Sequence, residues 1–155
     1  KPGFIFEIDI NSLKEGIDKI KTYEKIILFY PEKAVYPYPR RILHGFRKFC
    51  VEFKLDFEIL EEVFNDMIIK KGDLFITIEE SDLVNLVKQA KEDEYKLGKD
   101  IGIISYNDTP LKDLLGITVM STDFKIMGET TSDMILNNKK GSIKVPFNFI
   151  ERDSL

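Results

Sequence analysis

Cysteine and histidine occur once each in this chain, and tryptophan is missing. A lone thiol, Cys50, excludes an internal disulfide, and one Cys with one His excludes a Cys/His zinc framework. No apolar run approaches the roughly 20 residues that a membrane-crossing helix needs. No signal-peptide pattern opens the sequence at Lys1, and the missing Met leads us to expect a boundary inside a longer protein. There is no excess of basic charge either. The chain carries 23 Lys+Arg against 27 Asp+Glu, a net charge of −4, which argues against a nucleic-acid surface spanning the whole chain. No glycine-rich phosphate loop is present: Gly98 and Gly102 have the wrong spacing and precede a strand rather than a helix.

What is there suffices for a core. The chain has 155 residues, of which 43% are hydrophobic, enough for one domain or one lobe of a larger one. The continuous apolar run Ile26–Tyr30, stopped by Pro31, predicts a strand buried on both faces of a parallel sheet. Further strands are predicted at 57–60, 74–78, 101–105 and 117–120, with an alternating one at the end around Val145, Phe147 and Phe149. An extended entry segment is expected over 4–9. Helices are predicted between them. Ser12 and Glu15 have capping-box spacing ahead of Leu13, Ile17 and Ile20. Ile42, Phe46, Phe49, Cys50 and Phe53 share one face of a helix that follows Pro39. Ser81 is positioned to cap a helix carrying Leu83, Leu86, Val87 and Ala90. Thr122 or Asp123 can cap another with Phe124, Met127, Met134 and Ile135 on one side. The stretch 61–71 reads as a loop. Alternating strand and helix define a doubly wound, mainly parallel α/β sheet with helices on both faces.

Catalytic chemistry finds little support. His44 sits among Arg40, Arg41, Arg47 and Lys48, whose charges disfavour the imidazolium that a base must form. Cys50 lies on the apolar stripe as a small hydrophobe. The basic helix holds its aromatics on the buried side rather than between the charges, so stacking on bases is not expected. Three loops carry more weight, because ligands of open α/β sheets bind beyond the carboxyl ends of strands. The first holds Tyr36, Tyr38, Arg40 and Arg41. The second is Glu79-Glu80-Ser81-Asp82, and the third Tyr106-Asn107-Asp108-Thr109. Donors, acceptors and aromatic faces together suit a neutral polyhydroxylated molecule. Capping and turn formation explain each loop equally well, and Glu79 and Glu80 also suit the positive end of a helix dipole.

The runs Lys25 to Pro31, His44-Gly-Phe, Gly98 to Thr109 and Ile117 to Gly128 resemble, in this order, the second half of the sensor domain of lactose-repressor-type regulators. Ser105 to Lys112 and the ending Pro146 to Leu155 look closest to a Bacteroidetes group, in which a gluconate-repressor-type (GntR) winged helix precedes such a sensor. The resemblance implies a periplasmic-binding-protein-like lobe of a cytoplasmic, homodimeric regulator. A sugar or related effector would bind between two lobes, and DNA would be bound by a separate domain. It implies no cofactor, metal, catalysis or membrane contact. By this resemblance 1–116 would form the second lobe, 117–140 would return to a first lobe, and 141–155 would be a strand coming back. Thr122 and Phe124, at the start of the returning helix, join the implied ligand set of Tyr36, Tyr38, Arg40, Arg41, Glu79, Glu80, Asn107 and Asp108. Three positions depart from the family pattern: Ile42 stands in place of a sugar-gripping Arg, Glu79-Glu80 in place of Asn-Asp, and Asn107 in place of Asp. The alternatives are a periplasmic sugar-binding transport protein and a small enzyme using Glu79, Glu80 or Asp108.

Overall fold

The computed structural model describes residues 10–33, 37–64 and 67–155. The entry segment expected over 4–9 and Tyr36 lie outside them. Six strands form one sheet: β1 (Lys25–Phe29), β2 (Phe57–Leu60), β3 (Asp73–Thr77), β4 (Gly102–Tyr106), β5 (Thr118–Thr122) and β6 (Phe147–Ile150), in the order β2-β1-β3-β4-β5-β6. Every neighbouring pair is parallel except β5–β6. The helices are α1 (Ile10–Glu15), α2 (Ile17–Ile20), α3 (Arg41–Phe53), α4 (Glu80–Glu92), α5 (Pro110–Leu114) and α6 (Phe124–Leu136). The doubly wound α/β class is as the alternation of elements predicts.

Strand alternation divides the core into two layers. Ile26, Leu28, Leu74, Ile76 and Ile104 pack with Ile42, Phe46, Phe49 and Cys50 of α3 and with Leu13 and Ile20 of α1 and α2. Ile27, Phe29, Phe75 and Ile103 face the other way, onto Leu83, Leu86 and Ala90 of α4. Cys50 is fully enclosed, and burial pushes its thiol up to about 12, in keeping with a packing role.

Residues 61–72 link β2 to β3 across β1, and the described ones among them form no helix. Such a crossover needs a dozen or more residues, and this one meets that minimum. It still buries apolar surface through Val63, Met67 and Ile69. Its hold on α4 is the Val63 N–H donating to the Asp82 carboxylate at 2.9 Å. Asp82 is buried, and burial first, then the charges of Glu79 and Glu62, push its carboxyl above the usual range despite that bond. A carboxyl raised on folding favours stability below its unfolded pKa and loses that contribution as pH rises through the folded value. Asp82→Asn keeps an acceptor for Val63 and removes the charge. It should therefore raise the unfolding midpoint at neutral pH but not at about pH 3, where the wild-type group is already protonated. Thermal melts of both forms at the two pH values check this.

Three local expectations shift. Ser12 lies inside α1 rather than at its cap, and its hydroxyl donates to the Phe147 carbonyl. The first helix breaks at Gly16, where a Cβ would come within 2.5 Å of the Phe149 ring. Glu79, not Ser81, occupies the N-cap position of α4, because the helix begins one residue before Ser81. β5 is buried throughout and pairs with β4 inside the sheet. α6 stands apart. It has no buried residue; Phe124 is 46% and Ile135 74% exposed, while Met127 and Met134 are half-buried. Asp123 caps it by accepting from the Ile126 N–H.

Candidate functional site

The chain leaves β1 for α3 on one face and leaves β3 for α4 on the other. The crevice between the carboxyl ends of β1 and β3 is therefore the topological switch point of the sheet, the place where open α/β folds take ligands. Tyr38, from the loop after β1, and Glu79, directly after Ile78 at the end of β3, meet across it. The Tyr38 hydroxyl donates to Glu79 Oε1 at 2.9 Å. Tyr30, which follows β1, supports this pair from below by donating its hydroxyl to the Tyr38 carbonyl at 2.7 Å. Burial, then the Glu79 hydrogen bond and charge, push the Tyr38 phenol up to about 12, so it is a neutral donor at physiological pH. Glu79 makes no side-chain cap of its own helix. Its carboxylate is turned to the crevice, where the capping explanation would have turned it back.

Thr77 lies opposite Ser105, so Glu79 and Asn107 reach the same level beyond neighbouring strands. Asn107 adopts φ 61°, a left-handed conformation that asparagine tolerates better than most residues. Four bonds hold the turn there. The Asn107 N–H donates to the Met120 carbonyl and the Asp108 N–H to Ser121 Oγ. The Lys112 ammonium, buried under α5, donates to the carbonyls of Tyr106 and Asn107 at 2.8 and 2.9 Å. Burial pulls the Lys112 amine below its ordinary range. The Tyr106 hydroxyl and Asn107 Oδ1 are buried and have no hydrogen-bond partner among the described residues.

The other predicted residues lie around this centre or away from it. Arg40 is exposed at the N-cap of α3, and its charge reaches the Tyr30 phenol. Arg41 is exposed in the first turn of that helix. Glu80 opens α4, exposed, and acts electrostatically on Lys112. Asp108 faces Arg152, both carboxylate oxygens accepting from its guanidinium at 3.0 and 2.9 Å, and so tethers the end of the chain. Thr122 is buried opposite Phe147 at the end of β5, and Phe124 opens α6, both on the far side of β4 from Glu79. Tyr30 was not among the predicted residues; its place at the end of an apolar run, ahead of Pro31, was its one local signal. Among the described residues no group of three or more His, Cys, Asp or Glu could hold a metal ion. No described helix is long and apolar enough to cross a membrane.

No protein-family model matches the sequence, and no curated protein matches it either. Solved structures do match in fold. A periplasmic binding ribose operon repressor protein from Lactobacillus acidophilus aligns with 97% of this chain and 63% of its own, at 21% identity and a TM-score of 0.71. A LacI family transcriptional regulator from Bifidobacterium animalis subsp. lactis aligns with 96% and 62%, at 15% identity and a TM-score of 0.73. The Lac repressor bound to ONPG aligns with 91% and 48%, at 17% identity and a TM-score of 0.67. The architecture is thus the periplasmic-binding-protein-like α/β fold of LacI-type sensor domains. The chain spans about half to two thirds of the length of these structures.

Proposed function

We propose that this chain is the second lobe of the effector-sensing domain of a sugar-responsive transcription regulator, working by binding rather than catalysis. The observation that carries this is the Tyr38–Glu79 contact at the switch point of a fold shared with such sensors. One similar structure, a periplasmic binding protein/LacI transcriptional regulator from Alkaliphilus metalliredigens, is complexed with D-xylulofuranose. In this reading Tyr38, Glu79 and Asn107 contact the effector, with Arg40 or Arg41 at the rim. A first lobe, outside this chain, covers α6 and closes over the crevice. Closure requires the effector to bind the closed state more tightly than the open one, and that difference is the coupling energy passed to DNA binding. A GntR-type winged helix of the Bacteroidetes kind is the proposed DNA-binding domain, in a cytoplasmic protein.

A homodimer is part of the same proposal. Leu111 and Leu114 of α5 and Leu115 just after it are 47%, 82% and 47% exposed, and Val84 of α4 is 39% exposed. These exposed apolar side chains are the proposed contact with a second copy.

The test uses the full-length protein. A sugar that binds only the folded state raises the melting temperature by mass action. The same sugar should change affinity for genomic DNA fragments that the protein captures. Asn107→Ala should then weaken sugar binding by roughly 1–3 kcal/mol, the cost of a lost buried hydrogen bond. Captured DNA whose affinity ignores every stabilising sugar would remove the regulator reading. An unchanged dissociation constant in Asn107→Ala would remove that residue from the site.

A further inference from the structure

The crevice is unevenly charged. Of the two carboxylates following strand ends β3 and β4, Asp108 is neutralised by Arg152, which also reaches Asp113. Glu79 is not: among the described residues no salt bridge involves it, and its bonding partner is the neutral Tyr38 phenol on Oε1. Its close companions are acids. Glu80 and Asp82 occupy the first turn of α4, and Asp82 feels repulsion from Glu79 and Glu62. The nearby ammonium of Lys112 is already committed to two backbone carbonyls.

Unfilled hydrogen-bonding capacity lies at the same end of the sheet, after the neighbouring strand β4. Tyr106 is 4% exposed and among the described residues its hydroxyl lacks a partner, as does the buried Asn107 Oδ1. The Tyr106 ring leans towards the carboxyl end of the sheet. Its strand partner is Met120, yet its ring lies 5.4 Å from that of Phe147, which pairs with Thr122 two residues further up. Asn107 Oδ1 and Glu79 can only accept, while Tyr106 can donate or accept. A molecule that completes this set brings N–H or O–H donors, and positive charge at the Glu79 end.

Resting on the sensor reading above, we propose that the effector is a polyhydroxylated amine of the amino-sugar class, its ammonium on Glu79 and a neighbouring hydroxyl between Asn107 and Tyr106. The test is calorimetric titration of the full-length protein with matched pairs at about pH 6, where a primary amine is protonated. The pairs are D-glucosamine and D-glucose, D-galactosamine and D-galactose, and D-mannosamine and D-mannose. At least one amine should bind about tenfold more tightly than its parent sugar, the usual advantage of a charged over a neutral hydrogen bond. Glu79→Gln, which retains an acceptor for Tyr38, should bring that ratio to about one. A ratio that survives in Glu79→Gln overturns the assignment to Glu79. Parent sugars that bind as well as or better than the amines overturn the amine while leaving the sensor reading intact. If neither kind binds, both fall. The wild-type ratio decides the matter even if Glu79→Gln folds poorly.

Discussion

Replacing Gly98 with alanine is expected to destabilise the fold by about 3–5 kcal/mol, the range of the severest single substitutions. Two costs combine. Gly98 has φ +73°, which an L side chain rarely adopts, and a Cβ there would lie 2.0 Å from the Asp153 carbonyl oxygen, a backbone atom that cannot swing aside. The carbonyl belongs to the segment that closes the sheet. Ser154 donates its hydroxyl to the Ile103 carbonyl and accepts from the Thr118 N–H, while its own carbonyl accepts from the Ile103 N–H. Moving Asp153 aside would strain all three bonds. For a chain of this size each kcal/mol lowers the melting temperature by about 2–4 °C, so a fall of roughly 10 °C is expected. Gly128→Ala is the control. Gly128 lies inside α6 with nothing within 4 Å, and alanine there should stabilise by up to about 1 kcal/mol. A Gly98→Ala melt within a degree or two of wild type would mean that Asp153 does not hold the position described.

Much of the scaffold is legible in the sequence because it rests on local periodicity. The apolar run Ile26–Tyr30 needs no partner to be recognised, and the stripe of α3 is read directly from Ile42, Phe46 and Phe49, all fully buried. Failures fall where a distant residue decides. Gly16 breaks the first helix against Phe149, far along the chain. Ser12 looks like a cap, but the distant Phe147 carbonyl takes its hydroxyl. The five residues of α5 are too short for a period to show; Thr109, accepting from the Lys112 N–H, with Pro110 at the first helical position, was its only signal.

The site divides in the same way. Position after a strand end marks Tyr38, Glu79 and Asn107, and chemistry marks them as suited to hydroxyls. Nothing local shows that Tyr38 bonds Glu79 rather than solvent, or that Tyr30 braces Tyr38 by its hydroxyl. Lys112 is the plainest case. A lysine flanked by Leu111 and Asp113 looks solvated, yet two carbonyls at the end of β4 bury its ammonium. Polar residues beyond strand ends are thus recognisable as a group, while their division between ligand contact and structural tether is set by partners many residues away.

That division makes Arg152→Ala the other large effect, a loss of about 3 kcal/mol or more, as when one partner of a largely buried ion pair is removed. The Arg152 side chain is 14% exposed and Asp108's 31%. Besides its two bonds to Asp108, the guanidinium donates to the Ile117 carbonyl at 2.8 Å and reaches Asp113 at 3.1 Å. One side chain thus joins the turn after β4, the end of α5, the start of β5 and the segment after β6. Alanine would leave the Asp108 carboxylate and the Ile117 carbonyl without their donor. Lysine should recover little, because a point charge cannot reproduce the forked contact with both oxygens. Most of the loss should persist in high salt, since partly buried pairs are screened far less than surface ones. Asp108→Asn in the Arg152→Ala background should cost less than Asp108→Asn alone, because a half-buried carboxylate without its partner is what the single Arg152 variant leaves behind. Denaturant unfolding of the two singles and the double supplies the cycle. Additive losses would show the pair uncoupled and return Asp108 to the crevice as a candidate effector contact. A strong coupling, with effector affinity in Asp108→Asn unchanged wherever the variant remains folded, separates the tether from the Tyr38–Glu79–Asn107 constellation beside it.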